Sequence, residues 1–562
     1  MARTIRLAAI CLAVFGPALS AGSDADPPNT TRSLIPNVHA ARRNAFDIFN
    51  AIHSATRQWG SSLRHNGMSV FRATVPAGVL LHHGTYSPDP PEGPEWLAFE
   101  VEHAELFAHP RPKWKPKGEG FSGDGGVVFS ETNEQRPLNG MRDHPSPLPP
   151  PPNGPPPDDE TEISEEDEPV AAGYLHTYRT TAPLSLLYID GMSAGKTDMG
   201  TLDTQDLLLL LNRTASPWGE WDRARDSCKL VSSWGLHGVI RMEAGFEIIK
   251  CDPFLENLEL VSVVQRASRG RDDGPTPPWE PPQLNVRMFE TIRAVARRYW
   301  GIGAGRIEID WGSMVSAYFY DVDLGLKMVS FREDFEQPRL VGLSERELKA
   351  IRQRVEEVVR EREGKTSAID WQGVVDLVVA RYAERLRYMA EGIDTIEGLR
   401  DEIRGLLDTH IDYATDDYGY RDALDRCWTF YIRHLKPETQ EDRFILAAIE
   451  TVTQRICSRL FKVRRLLVGG YLDNDEAVAF AKGFLRGLMK ELSWTTWLEC
   501  RGCGIGEVCF VPMWPWGDKH SHEQPNCRNA TTLQAGWIED AYWTPRKPGM
   551  PSKDPALWVF RG

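Results

Sequence analysis

One segment of this 562-residue chain cannot take part in a packed core, and it divides the rest of the chain. Nine of the thirteen residues 145–157 are proline, and eight acids follow between Asp158 and Glu168. Prolines favour extended polyproline II backbone, and the like charges repel one another. We therefore predict a solvated, disordered tether over residues 143–169, with a fold completed from both of its sides. A ligand for a proline-binding domain is the alternative interpretation.

The first twenty residues have the pattern of a secretory signal peptide. Arg3 and Arg6 precede an apolar run over residues 7–19, and small residues at positions 18 and 20 suit a signal peptidase. The run is too short to span a bilayer, and polar residues and prolines follow it. We predict a secreted, extracellular protein without a membrane anchor.

Composition limits the classes of partner. The hydrophobic fraction of 41% is ample for sizeable cores, and the formal net charge is −15. Phosphate attraction needs Lys and Arg, so the acidic balance argues against nucleic-acid binding and against adhesion to anionic membranes. A small molecule or a protein acceptor remains as partner, and the oligomeric state stays open.

Cysteine usage agrees with an oxidising compartment. Beyond Cys11, which leaves with the signal, the chain has eight cysteines, an even number that predicts four disulfides. We expect Cys228 to pair with Cys251 and Cys427 with Cys457. The last four are expected to close a C-terminal knot with connectivity left open, and they are Cys500, Cys503, Cys509 and Cys527.

Two further patterns bear on export. The spacing of Cys500, Cys503 and Cys509 would suit zinc inside a cell, but thiols in an oxidising compartment pair with each other, so we expect no metal. Three sequons, which begin at Asn29, Asn212 and Asn529, fit an exported glycoprotein.

The periodicity of apolar residues predicts an α+β fold. A helix and several strands occupy residues 21–142, strands resume over 170–273, and a mainly helical domain covers 283–498. In that domain, Ser344 and Glu347 form a capping box that opens a charged helix. Residues 499–562 form a Cys-rich terminal cap.

A glycine-rich turn follows the strand predicted over residues 184–190. The stretch from Gly191 to Lys196 and Thr197 resembles a phosphate-binding loop, but three residues instead of four separate Gly191 from the Gly-Lys pair. We interpret it as a tight turn that lines a pocket.

The segment over residues 78–108 carries the most specific chemical motif. A strand ends in His83-Gly84-Thr85, and a short strand around Trp96 and Phe99 then enters a helix. This arrangement resembles ADP-ribosyltransferase-like proteins, in which a His-Gly-Thr strand grips NAD and a glutamate on a later strand supports cleavage of the nicotinamide bond. The structural alternative is an ordinary strand with a histidine near a turn.

The resemblance implies roles for named residues. His83, Gly84 and Thr85 would hold NAD, the substrate, and Trp96 or Phe99 would lie near the nicotinamide. Glu247 is the candidate for the strand glutamate, with Glu243 second, because a carboxylate beside a developing cation favours glycosidic cleavage. Transfer of ADP-ribose and hydrolysis of NAD are not separable from the sequence.

Two other functions compete with this one. Alternating acids beside Trp311 are a hint of glycoside hydrolysis, which needs two carboxylates and an aromatic platform. These acids are Glu308, Asp310, Asp321 and Asp323. The whole chain also resembles secreted proteins of filamentous fungi without an assigned activity. The proline-rich tether, the absence of a full catalytic signature and the large helical part without chemical motifs favour a non-catalytic secreted interaction or cell-surface protein.

Overall fold

The computed structural model describes residues 34–108, 111–112, 170–217, 219–266, 284–325, 337–414, 419–469, 473–535 and 542–543. The predicted signal peptide, the tether over residues 143–169 and the sequon at Asn29 lie outside the described residues. The fold is α+β, as predicted: a mixed sheet of nine strands, a helical C-terminal part and a disulfide-bonded region at its end.

Nine strands form one sheet in the order β10-β6-β2-β3-β9-β8-β7-β1-β11. Their bounds are β1 Asn66–Val75, β2 Leu80–Thr85, β3 Glu95–Ala98, β6 Gly173–Thr180, β7 Leu184–Gly191, β8 Gly238–Met242, β9 Phe246–Lys250, β10 Leu258–Arg266 and β11 Glu308–Ser316. Two short pairs complete the strands: β4 Arg111–Pro112 with β5 Val170–Ala171, and β12 Val508–Phe510 with β13 Asn526–Arg528.

The centre of this sheet is buried on both faces. Every residue of β8 and β9 is buried, and residues 186–191 of β7 are buried as well. Strands buried on both sides read as continuous apolar runs, which is the pattern of Val239-Ile240 and Ile248-Ile249. Strands β7 and β8 are parallel, while the other pairs in the sheet are antiparallel. A crossover connects β7 to β8, as a parallel pair requires.

The strands of this sheet come from three parts of the chain, residues 21–142, 170–273 and 283–498. Strands β1 to β3 precede the acidic segment, and β6 to β10 follow it. Strand β11 interrupts the mainly helical region, pairs with β1 and ends the sheet.

Fourteen α-helices are assigned among the described residues. The first six are α1 Val38–Arg43, α2 Ala45–Ser54, α3 Gln58–Leu63, α4 Val101–Glu105, α5 Glu220–Ser233 and α6 Leu284–Ala296. The others are α7 Glu345–Glu361, α8 Trp371–Arg387, α9 Ile396–Leu407, α10 Tyr420–Trp428, α11 Gln440–Val468, α12 Asn474–Leu492, α13 Lys519–Glu523 and α14 Ala530–Ala535. Among these residues, no helix combines the length and the hydropathy that a membrane crossing needs.

Helix α11 is the centre of the helical part, and it contacts α1, α2, α9, α10, α12 and β11. It begins at a capping box formed by Thr439 and Asp442, which satisfies backbone amides that the first turn leaves without partners. The predicted box of Ser344 and Glu347 is present at the start of α7.

Four disulfides bind the described chain. Cys228–Cys251 and Cys427–Cys457 are the pairs predicted from the sequence. Cys500 pairs with Cys509 and Cys503 with Cys527, so the last four cysteines close the C-terminal region on itself. Three of these sulfur atoms lie close enough to hold a metal ion, but each is bonded to another sulfur.

Candidate functional site

A network of buried charges lies where the parallel strands β7 and β8 end. The loop after β7 contributes Lys196, and the hairpin after β8 contributes Glu243. The Lys196 Nζ donates to Glu243 Oε2 at 2.6 Å and lies 3.5 Å from an oxygen of Glu220 at the start of α5. It also lies 4.7 Å from the centre of the Trp514 ring. The lysine of the glycine-rich turn is thus engaged inside the protein.

Arg241 of β8 joins the rest of the network. Its guanidinium donates to Glu247 Oε1 of β9 at 2.7 Å and to Glu220 Oε2. Glu220 also accepts from Arg223 of α5, whose Nε donates to Asp206 at 2.7 Å. Arg241 of the sheet and Lys196 of the loop after β7 therefore hold α5 against the sheet through Glu220, and Arg223 holds α5 to the segment of Asp206.

Burial and charge balance explain the protonation of the network. None of its seven charged side chains is more than 10% exposed. Three cations face four acids, so one acid lacks a counter-charge when all are ionised. Burial raises the pKa of Glu243 to about 7, with the negative charge of Glu247 acting in the same direction. Burial opposes the charge of Glu220, but Arg241 and Lys196 hold its pKa below the usual range.

The two glutamates chosen from the sequence, Glu243 and Glu247, therefore lie in one network with assigned partners. His103 of α4 lies beside them, and burial lowers the pKa of its imidazole while the charge of Glu247 raises it. Both glutamates hold neighbouring elements of the core together, and neither is solvent-exposed.

The strand register separates His83 from Glu247. Antiparallel partners project to the same face of a sheet, and consecutive residues of a strand project to opposite faces. His82 pairs with Ala98, and Ala98 pairs with Glu247, so His82 shares the face of Glu247. His83 projects from the other face. The structure therefore does not bring His83 and Glu247 into one pocket on one side of the sheet.

The environment of His83 is closed. Its Nδ1 lies 2.8 Å from the carbonyl oxygen of Trp96, so Nδ1 is the protonated nitrogen and donates to that oxygen. Burial lowers the pKa of His83 to about 3, which keeps the ring neutral. The ring packs edge-on to His176 and tilted against Phe254.

Gly84 and Thr85 are held by neighbouring backbone and side chains. A Cβ at Gly84 would lie 2.0 Å from the carbonyl oxygen of Ala104, so this glycine allows α4 to pack on β2. Thr85 is buried, and its hydroxyl accepts from the amide of Ser87.

The two candidate aromatic residues are also committed to packing. Trp96 meets Trp221 of α5 edge-on at 4.7 Å between ring centres. Phe99 is buried, and the guanidinium of Arg306 lies 5.6 Å from the centre of its ring. These contacts belong to the packing of α5 and of the loop before β11 on the sheet.

Two of the acids proposed for glycoside hydrolysis, Asp310 and Asp321, have separate partners. Asp310 of β11 is buried and accepts from Arg362 at 2.8 and 2.7 Å. Asp321 forms an ion pair with Arg43 of α1 at 2.6 Å. The two carboxylates therefore belong to contacts with different helices.

Two acids that were not predicted as site residues line a small cavity. Asp190 stands at the end of β7, and Asp47 lies on α2. The cavity has a volume of about 30 Å³, room for one or two water molecules. Its polar lining consists of backbone groups and of side chains that include Asp47, Asn50, Arg64, Asn66, Asp190 and Tyr318.

Asp190 has an unusual environment for a carboxyl group. It is 5% exposed, and its Oδ1 has no hydrogen-bond partner among the described residues. Burial raises its pKa to about 7, against the lowering effect of Ser69. Burial also raises the pKa of Asp47, against the charge of Arg64, 3.6 Å away. The sequence does contain a signal for this site, because Asp190 is a charged residue at the end of an apolar strand and directly precedes Gly191.

The fold and this interior define a class: an α+β protein with a mixed nine-stranded sheet, a buried ionic network and a disulfide-bonded C-terminal region. Residues 35–272, which contain most of the sheet, match the family model described as the YPL277C N-terminal domain. The match ends before β11, so it covers the network but not the last strand or the helical part.

Two proteins of Saccharomyces cerevisiae (strain ATCC 204508 / S288c) are similar over more of the chain. "Uncharacterized protein YOR389W" is 27% identical over 552 residues, which cover 84% of this chain and 82% of the relative. "Uncharacterized protein YPL277C" is 29% identical over 418 residues, which cover 64% of this chain and 78% of the relative. No solved structure matches the chain.

These relatives confirm the resemblance to fungal proteins without an assigned activity. Neither the family description nor the names of the relatives refer to an ADP-ribosyltransferase. The comparisons therefore give no support to the ADP-ribosyltransferase resemblance.

Proposed function

We propose that this chain is an exported, non-catalytic interaction protein. The observation that carries the proposal is the state of Glu243 and Glu247, the carboxylates chosen for glycosidic chemistry. Each accepts from a buried cation and holds neighbouring core elements together. A carboxylate that stabilises a developing cation must face the substrate. These two face Lys196 and Arg241 instead.

The cavity lined by Asp190 does not offer an alternative site for NAD or a sugar. Sites for small molecules and cofactors have volumes of roughly 300–1,000 Å³. The cavity of about 30 Å³ is an order of magnitude smaller. Its dimensions suit water rather than NAD or a sugar.

The disulfides support export. Four disulfides among the described residues connect helices, strands and the C-terminal region. Such bonds persist in secretory and extracellular compartments and are rare in the cytosol. The sequon at Asn212 lies in a turn in which Thr214 donates to Asn212 Oδ1 through both its amide and its hydroxyl, at the protein surface.

The experiment compares wild-type protein with Glu247→Gln in two assays. NAD labelled in the nicotinamide ring is incubated with each, and each is unfolded in urea. We expect no nicotinamide release above the enzyme-free blank from either protein, and a lower stability for Glu247→Gln. Release by the wild type that disappears in the variant, while the variant remains folded, would establish the NAD reaction and reject our proposal.

A further inference from the structure

Strand β10 leaves an apolar sheet edge in contact with solvent. It ends the sheet and pairs with β6 on one side, and no strand among the described residues pairs with its other side. Val261 is 53% exposed, Val264 is 48% exposed and Leu260 is 38% exposed. The strands at the centre of the same sheet, β8 and β9, are fully buried.

The edge lacks most of the devices that protect a free strand. Natural proteins cover such edges or place lysine or proline on them, because unpaired backbone groups recruit other strands. Over residues 258–266 the strand has no lysine and no proline. Its two charged residues already have partners within the chain, since Glu259 pairs with Arg179 and Arg266 pairs with Glu105. One bulge, between Leu260 and Ser262, is the feature that interrupts it.

The sequence of β10 is complementary to itself in the antiparallel sense. A two-fold axis at Ser262 would place Leu260 opposite Val264 of a second copy, and Val261 opposite Val263 of that copy. Pairs of β-branched and aliphatic residues across strands stabilise a sheet. A two-fold interface requires this reciprocity, because each residue meets its partner twice.

The charges at the two ends agree with the same arrangement. Glu259 would face Gln265, and Arg266 would face Leu258, so no like charges oppose one another in the strand pair. Nine residues at about 3.3 Å each form an edge roughly 30 Å long. Such an edge can extend the sheet across both copies.

We propose that β10 is a self-association surface, on which a second copy of this chain adds its own β10 as an antiparallel strand. The inference deepens the proposed function and rests on it for the claim that binding is the task of the protein. It specifies the surface, the partner and the pairing register.

The first experiment measures the mass of the full chain by light scattering over a range of concentrations. We expect a concentration-dependent dimer for the wild type. The double variant Val261→Lys/Val264→Lys places four lysines at the interface and should weaken dimerisation at least about tenfold, the equivalent of about 1.4 kcal/mol. The matched control is Leu377→Lys on α8, which removes an equally exposed aliphatic side chain far along the chain and should leave the dimer unchanged.

The second experiment tests the register. Ser262→Cys would place two thiols opposite each other across the axis, and mild oxidation should give a covalent dimer. Leu377→Cys is the control and should stay monomeric in a non-reducing gel. Failure of Ser262→Cys to cross-link a protein that dimerises would reject this pairing.

Three outcomes would overturn the proposal. The first is a wild type that stays monomeric up to about 100 μM. The second is a dimer that the double variant Val261→Lys/Val264→Lys retains as fully as the Leu377→Lys control. The third is a monomer in which the β10 amides resist hydrogen exchange because another segment of the chain covers them. A monomer without NAD turnover leaves the proposed function standing. A dimer that also releases nicotinamide from NAD rejects the proposed function, but it agrees with β10 as a self-association surface.

Discussion

Two parts of the core contain buried carboxylates under opposite conditions. In the network beside α5, Glu220 and Glu247 share the guanidinium of Arg241. In the cavity under α2, Asp190 forms no ion pair among the described residues, because the nearby Arg64 pairs with Asp47. Asp190, Glu220 and Glu247 are 5%, 5% and 4% exposed, so the difference between the two regions comes from their partners and not from depth.

The comparison shows how the presence of a cation decides the state of a buried acid. Arg241 and Lys196 hold the pKa of Glu220 below its usual range in spite of burial, whereas burial raises the pKa of Asp190 to about 7. A carboxylate that loses water must gain a counter-charge or a proton. The network supplies a counter-charge and the cavity does not, so Asp190 keeps its proton to a higher pH.

The largest effect is expected when the shared cation of the network is removed. Arg241→Met leaves Glu220 and Glu247 buried without their guanidinium, and breaking a buried pair on one side costs about 3–5 kcal/mol. Urea unfolding followed by tryptophan fluorescence would measure it. Arg293→Met, which removes a solvent-exposed partner of Glu290, is the control and should change little. A loss below about 1 kcal/mol for Arg241→Met would show that the network is not a stabilising unit.

A smaller loss is expected from one acid of the network. Glu247→Gln keeps the shape of the side chain but removes the charge that faces Arg241, and a charge-assisted hydrogen bond contributes about 1.5–3 kcal/mol. Glu259→Gln on the exposed edge of the same sheet is the matched control. If the two variants unfold at the same urea concentration, Glu247 does not hold β9 to β8 through Arg241.

The sequence predicted the helices well because their signals are local. The capping box at Ser344 and the apolar faces that follow it depend only on neighbouring residues. Helix α5 was not predicted, because the face that it buries is partly polar: Glu220, Arg223 and Ser227 are buried with Ala224 and Cys228. A reading based on apolar periodicity cannot recognise a helix whose buried face is held by ion pairs.

The candidate site depended on information that no local pattern contains. The motif around His83 was read correctly as a strand, but its position relative to Glu247 follows from the pairing of β2, β3 and β9. A shift of one residue in any register exchanges the two faces of a strand. Asp190 was passed over for the same reason, since its cavity forms only when α2 and residues 337–338 meet β7.

The pH dependence of stability should separate the cavity from the network. The pKa of Asp190 is raised from 3.8 to about 7, so its proton favours the folded state. This contribution is complete below about pH 3.8 and is lost as the pH rises through 7. Between pH 5 and 8, wild-type stability should fall by about 2–3 kcal/mol relative to Asp190→Asn. Parallel stability curves for the two proteins would mean that Asp190 is ionised throughout.

The smallest effect sharpens the comparison within one helix. Arg223 and Arg225 of α5 each form an ion pair with the acid three residues before, Glu220 and Asp222. The side chains of the first pair are 2% and 6% exposed, and those of the second are 58% and 80% exposed.

Exposed pairs contribute about 0–1 kcal/mol, so the free energy of unfolding of Arg225→Ala should lie within that range of the wild-type value. Arg223→Ala leaves Asp206 and Glu220 without it and should cost several times more. Because spacing and helix are shared, equal losses would show that burial does not determine the strength of these pairs.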